Sequence, residues 1–168
     1  MSKLYIITGP AGVGKSTISK EIAKKSKKSA LIEGDEIYHL VCGGYESAWK
    51  KGNHLEVFWK NVINIINNFL EDGYDVIFNY IIKNNTIEML RRTLKYEDTK
   101  FVVLLSNEET IVKRDKERIE ENQMGERSLI LLKQFKEEQF DNKFILDTTN
   151  LTIEDVTNKI IEDDKYKI

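Results

Sequence analysis

The run Gly9-Pro10-Ala11-Gly12-Val13-Gly14-Lys15-Ser16, followed by Thr17, sets a lysine and two hydroxyls directly behind closely spaced glycines. It fits the pattern G-x-x-x-x-G-K-[ST], whose chemistry is the binding of a nucleoside triphosphate. Glycines let the backbone curl so that several N–H groups converge on the β-phosphate, and a following helix adds its positive dipole end. Lys15 would reach the β- and γ-phosphates, and Ser16 would give its hydroxyl to Mg²⁺. Gly9, Ala11, Gly12, Val13, Gly14, Lys15, Ser16 and Thr17 are thus the expected phosphate cradle. Further along, Arg114 and Arg118 stand four apart, with Arg127 beyond a polar stretch that contains Gly125. Guanidinium groups at such spacing can neutralise phosphate charge.

These residues need elements to position them. Leu4-Tyr5-Ile6-Ile7 reads as a buried strand before the loop, and Ile18, Ile22 and Ala23 recur at helical spacing after it. The strand candidates are Lys3–Thr8, Ala30–Glu33, Asp75–Ile82, Lys100–Ser106 and Lys143–Asp147. Helical patterns fill Lys15–Lys25, His54–Glu71, Asn84–Tyr96, Glu108–Glu121, Arg127–Phe140 and Thr152–Asp163. In the second of these, Leu55, Phe58, Trp59, Val62, Ile65, Ile66 and Phe69 form a one-sided stripe, and Gly73 stands at the capping position. Ser106, Asn107 and Thr152 are residue types that cap helix starts. Alternation of this kind predicts an α/β fold in three layers: a five-stranded parallel sheet with helices on both faces. Ligands then gather outside the carboxyl ends of the strands. The loop, Asp35, Asn79 and Asp147–Asn150 all fall there.

At 168 residues the chain is expected to be one domain. Apolar residues at 40% and charged residues at 32% describe a globular protein, and a net charge of −2 offers no global field for a polyanion. No apolar stretch approaches the roughly 20 residues of a membrane span. The start leaves no room for a signal peptide, and the lone Cys42 suits a reducing compartment, so a cytoplasmic protein without membrane or nucleic-acid partners is expected. The Lys24, Lys25, Lys27, Lys28 cluster reads as a solvated helix end. A guanine-reading N-K-x-D signature is missing, since Asn142-Lys143-Phe144-Ile145 lacks the aspartate.

On the loop, the acidic residue after the second strand and the arginine-rich helical text, the chain resembles the small P-loop kinases. That group includes shikimate, gluconate, adenylate and chloramphenicol kinases. The ending Ile145-Leu146-Asp147-Thr148-Thr149-Asn150-Leu151-Thr152 is similar to zeta-toxin-like and chloramphenicol-phosphotransferase-like members. Closer still is the likeness to uncharacterised Firmicute AAA-type kinase-like proteins. The resemblance implies the P-loop nucleoside triphosphate hydrolase fold, ATP and Mg²⁺ as cofactors, and transfer of the γ-phosphoryl group to a hydroxyl of a small-molecule acceptor. An ATP-binding module without productive transfer and a nucleic-acid 5′-hydroxyl kinase are the alternatives.

It also implies roles. Asp35, in Glu33-Gly34-Asp35-Glu36, would act as general base, orient the acceptor hydroxyl or hold a magnesium-bound water. The plainer alternative is a turn aspartate capping a helix that begins near Glu36. Glu33 reads as pointing into or across the sheet edge. The expected metal set is therefore Ser16 and Asp35, and the expected catalytic set Lys15, Asp35, Arg118, Arg127 and Arg114. Residues 114–127 resemble the mobile lid of such kinases. Asp147, Thr148 and Asn150 would lie on the adenine side. Asn79 stands where many relatives carry an aspartate, which weakens any metal contact there. Residues 36–54, with Tyr38, His39, Cys42, Tyr45, Trp49 and His54, would cover the acceptor, in a monomer or homodimer.

Overall fold

The computed structural model describes residues 2–48, 52, 54–94 and 98–168. Trp49 and Tyr96 fall outside them. Strands β1 (Leu4–Thr8), β2 (Ser29–Glu33), β3 (Asp75–Asn79), β4 (Thr99–Leu105) and β5 (Ile145–Asp147) form one parallel sheet in the order β2-β3-β1-β4-β5. Helices α1 (Lys15–Lys25), α2 (Gly34–Tyr38), α3 (His54–Glu71), α4 (Asn84–Thr93), α5 (Glu108–Lys116), α6 (Glu126–Glu137) and α7 (Ile153–Glu162) connect and flank it.

Pleating sends alternate residues of β1 to opposite cores. Leu4 and Ile6 pack with Phe58, Val62 and Ile66 of α3 and with Leu90 of α4. Tyr5 and Ile7 pack with Ile18 and Ile22 of α1, Ile111 of α5 and Val156 and Ile160 of α7. Helix α6 bridges the edge, giving Phe135 to the first core and Leu132 to the second. The expected α/β architecture is therefore present, with helices on both faces.

Several ends differ from the expected ones. Chain 80–82 leaves the sheet after Asn79, where Thr8 Oγ1 accepts the Ile82 amide at 2.8 Å instead of a strand partner. Asn142–Phe144 is a 3-10 turn, with Asp141 accepting the Lys143 amide, so β5 begins only at Ile145. Of the expected caps, Asn107 accepts the Thr110 amide, and Thr152 forms a reciprocal box with Asp155. Ser106 instead donates to the carbonyl of Asn107. Gly73 closes α3 with a positive φ of 80°, its amide on the Leu70 carbonyl.

Candidate active site

The loop between β1 and α1 owes its shape to glycine. Gly9, Gly12 and Gly14 have φ of 147°, 81° and 102°, which side-chain-bearing residues rarely adopt. At Gly9 a Cβ would also strike the carbonyl oxygen of Leu104 in the neighbouring strand. At Gly14 nothing lies within 4 Å, so the space in front of the α1 N-terminus is open. Lys15 folds its amine back over the loop, donating to the Gly9 carbonyl at 2.9 Å and the Pro10 carbonyl at 3.0 Å. Loss of hydration pushes the amine down to about 8, with Asp35 opposing that shift and Arg118 adding to it. The charges of Asp35 on α2 and of Arg118 after α5 thus both act on the loop lysine.

Ser16 stands in the first turn of α1. Its hydroxyl donates to Glu33 Oε2 at 3.4 Å, and Lys20 stands 3.8 Å from Glu33 Oε1. Glu33 turns toward the phosphate loop rather than across the sheet edge, because it is the last residue of a strand whose partner β3 also ends there. Sequence reasoning passed over it. No local pattern marks it: β3 lies between β2 and the loop strand β1, and only the folded sheet brings this carboxylate to the loop, where it could join a hard cation's water shell. Thr17 is exposed at the first turn of α1.

Asp35 lies exposed in the first turn of α2, a helix that begins at Gly34 rather than near Glu36. Gly34 is required by close approach: a Cβ would sit 2.6 Å from Tyr80 Cδ2 and 2.8 Å from Tyr80 Cβ. Burial pushes the Tyr80 hydroxyl well above the usual phenol range, and the charge of Asp35 adds to it. Asn79 pairs in register with Ile7 and Glu33 and is buried, and its Nδ2 has no hydrogen-bond partner. The segment after α2 is an aromatic cluster. Tyr38 stacks on His54 at 4.3 Å, and its hydroxyl donates to the Glu46 carbonyl. His54 Nδ1 accepts the Glu46 amide, leaving Nε2–H to donate to the Tyr38 carbonyl. His39 and Tyr45 lie parallel and exposed one turn beyond Asp35. Among the described residues no group of His, Cys, Asp and Glu forms a metal-binding cluster of its own.

The arginines separate. Arg114, on α5, donates to the Val13 carbonyl and to Thr148 Oγ1, both at 3.1 Å, and to the Thr148 carbonyl at 3.2 Å. It ties the phosphate loop to the turn after β5. Helix α5 ends at Lys116, so Arg118 stands past its end rather than on a continuous face, 3.6 Å from the Asp115 carboxylate. Exposed Ile119 shows why: a longer helix would have no apolar face to bury there. Gly125, with φ of 53°, starts α6, and Arg127 follows on an exposed turn. On the far side, Thr148 is buried and its amide donates to Leu105, while exposed Asp147 accepts the Thr149 amide and Asn150 is exposed. Three positive-φ glycines, an inward amine, and a hydroxyl beside a carboxylate fit a magnesium-bound triphosphate.

The family model for an AAA domain, AAA_18, matches residues 6–130, from the first strand into α6. The chain belongs to this family. Solved structures of similar fold include ones described as a sugar kinase, a gluconokinase and an RNA repair complex. A sugar kinase from Janibacter sp. superposes with a TM-score of 0.71 at 15% identity, over 98% of this chain and 97% of that one. A gluconokinase from Sinorhizobium meliloti gives 0.61 at 16%, over 94% and 89%. A Pnkp1/Rnl/Hen1 RNA repair complex gives 0.62 at 24%, over 83% of this chain and 46% of that one. Among curated protein sequences none matches. At these identities the likenesses show the α/β P-loop fold of this AAA-domain chain. Among its described residues no helix is long and apolar enough to cross a membrane.

Proposed function

We propose that the chain is an ATP-dependent phosphotransferase that moves the γ-phosphoryl group to a hydroxyl of a small-molecule acceptor. The observation that carries this reading is the glycine loop that folds the Lys15 amine onto the Gly9 and Pro10 carbonyls, an amine on which the charges of Asp35 and Arg118 both act.

In this account the loop amides and Lys15 hold the β- and γ-phosphates, and Ser16 with Glu33 orders the cation's shell. Mg²⁺ would neutralise charge shared between the β- and γ-phosphates. Asp35 accepts the proton of the acceptor hydroxyl as its oxygen bonds to phosphorus, and the bond to the β-phosphate oxygen breaks. Arg118 and Arg127 balance charge on the transferring group, and Arg114 braces the loop from behind. Thr148 lies on the nucleobase side.

A small, uncharged acceptor is favoured over a nucleic-acid 5′ end by the acceptor-side residues. Residues 34–48 carry the carboxylates Asp35, Glu36 and Glu46 and no lysine or arginine. A polynucleotide needs cations along its phosphates. Lys50 and Lys51 follow in sequence, outside the described residues.

Asp35→Asn tests the reading. Nucleotide affinity should stay within about threefold while transfer falls by two orders of magnitude or more, the usual size of a lost general base. Transfer at the wild-type rate would remove Asp35 from the mechanism.

A further inference from the structure

We infer that Asp115 is the positioning residue of the lid, its carboxylate setting where Arg118 and the Met124–Gly125 hinge stand relative to the phosphate loop. This rests on the reading of Arg118 as a phosphate-binding residue.

Asp115 is 4% exposed, on the face of α5 that meets the phosphate loop, within 4.0 Å of where a Cβ on Gly12 would lie. One turn earlier on that face stands Ile111, fully buried. Packing alone would be served by another apolar residue, since a buried carboxylate must be fully partnered to be tolerated. Among the described residues its carboxylate is met by Arg118, Met124 and Gly125. Oδ1 and Oδ2 accept the Met124 amide at 3.1 and 3.0 Å, Oδ2 accepts the Gly125 amide at 2.8 Å, and Arg118 Nη1 stands 3.6 Å from Oδ1.

One carboxylate therefore holds the Met124 and Gly125 amides and stands beside the Arg118 guanidinium, on a residue whose Cβ packs over Gly12 of the loop. Gly125 adopts φ 53° and ψ −130°, a conformation natural to glycine alone, so the chain direction into Arg127 depends on its amide being held. The two kinds of contact have different fates when a triphosphate arrives. Phosphate oxygens compete for Arg118, whose side chain is 41% exposed and can turn, while the two backbone amides stay on Asp115. The lid base remains fixed as the guanidinium changes partner.

Asp115→Asn keeps the shape and removes the charge and one acceptor oxygen. Amide hydrogen exchange at Met124 and Gly125, followed in the free protein, should accelerate at least tenfold, with β1 and α1 unchanged. Arg118→Gln should leave those amides slow. In ATP turnover, each single variant should lower kcat at least tenfold with little change in KM. The double variant should be no worse than the weaker single one, because Asp115 acts through Arg118. Unchanged exchange at the two amides, or a double variant whose losses multiply, would overturn the inference. If the wild-type protein turns over no ATP, the phosphotransfer reading fails, and the exchange comparison still decides whether Asp115 holds the lid. Should Asp115→Asn fold poorly, Gly125→Ala perturbs the same hinge from the backbone side and must reproduce the kcat loss.

Discussion

The Ser16 hydroxyl donates to the Glu33 carboxylate at 3.4 Å, joining the first turn of α1 to the last residue of β2. A hydroxyl and a carboxylate at the mouth of a phosphate loop can share the shell of one divalent cation. Asn79, on the neighbouring strand, offers an amide in place of an acid. Glu33 therefore supplies the negative charge that Asn79 does not.

Glu33→Gln should raise the Mg²⁺ concentration for half-maximal turnover roughly tenfold, with ATP affinity in the absence of metal unchanged. Thermal shifts with ATP in excess Mg²⁺ and in chelator separate the two. An unaltered Mg²⁺ requirement would assign Glu33 to Lys20 alone.

Lys15 sets a pH dependence. Its folded pKa is about 8 against a usual 10.5, so the unfolded chain holds the proton more tightly. This group alone makes stability rise with pH between those values, because the unfolded state binds more protons there. Nucleotide binding has the opposite slope. Triphosphate favours the protonated amine, so affinity should fall as pH rises above about 8 and binding should take up protons there. Calorimetry in buffers of different ionisation enthalpy reads that uptake. It should vanish in Lys15→Ala along with most of the affinity; uptake that persists would assign the proton elsewhere.

Gly34→Ala would drive a methyl into the Tyr80 ring, which Phe58, Trp59 and Phe78 hem in. Overpacking of this kind costs about 1–3 kcal/mol, or a fall in Tm on the order of 5 °C. Pairing it with Tyr80→Ala should make the second change much less additive than expected for distant sites. A Gly34→Ala protein as stable as the wild type would show that Tyr80 can move.

Arg114→Ala should weaken ATP and ADP alike, by about tenfold or ~1.4 kcal/mol, because the guanidinium supports Val13 and Thr148 rather than the γ-phosphate. Arg114→Lys should not restore it, since a single ammonium cannot span those acceptors. A loss confined to ATP would move Arg114 to the γ-phosphate side.

The layout was legible because hydrophobic period and glycine chemistry are local. Helices α1 and α3 run over the residues their stripes predict, and the Gly9–Ser16 run could only be a tight loop before a helix. The site was half legible. The resemblance pointed to Asp35 and the spacing to the arginines, but their partners are set by tertiary contacts. Arg114 and Arg118 share a helical period, yet one bonds the loop and the other lies past the end of α5. Glu33, Asp115 and Tyr80 carried no local signal. Their meaning comes from Ser16, Gly125 and Gly34, which lie 17, 10 and 46 residues away in sequence.

Incubating the protein with ATP labelled at the γ-phosphate and a panel of uncharged alcohols tests the central claim most directly. Label should pass to an alcohol in the wild type and not in Asp35→Asn, with the acceptor gaining one phosphoryl group by mass. Label released only as inorganic phosphate, at equal rates in both proteins and with every acceptor, would contradict it.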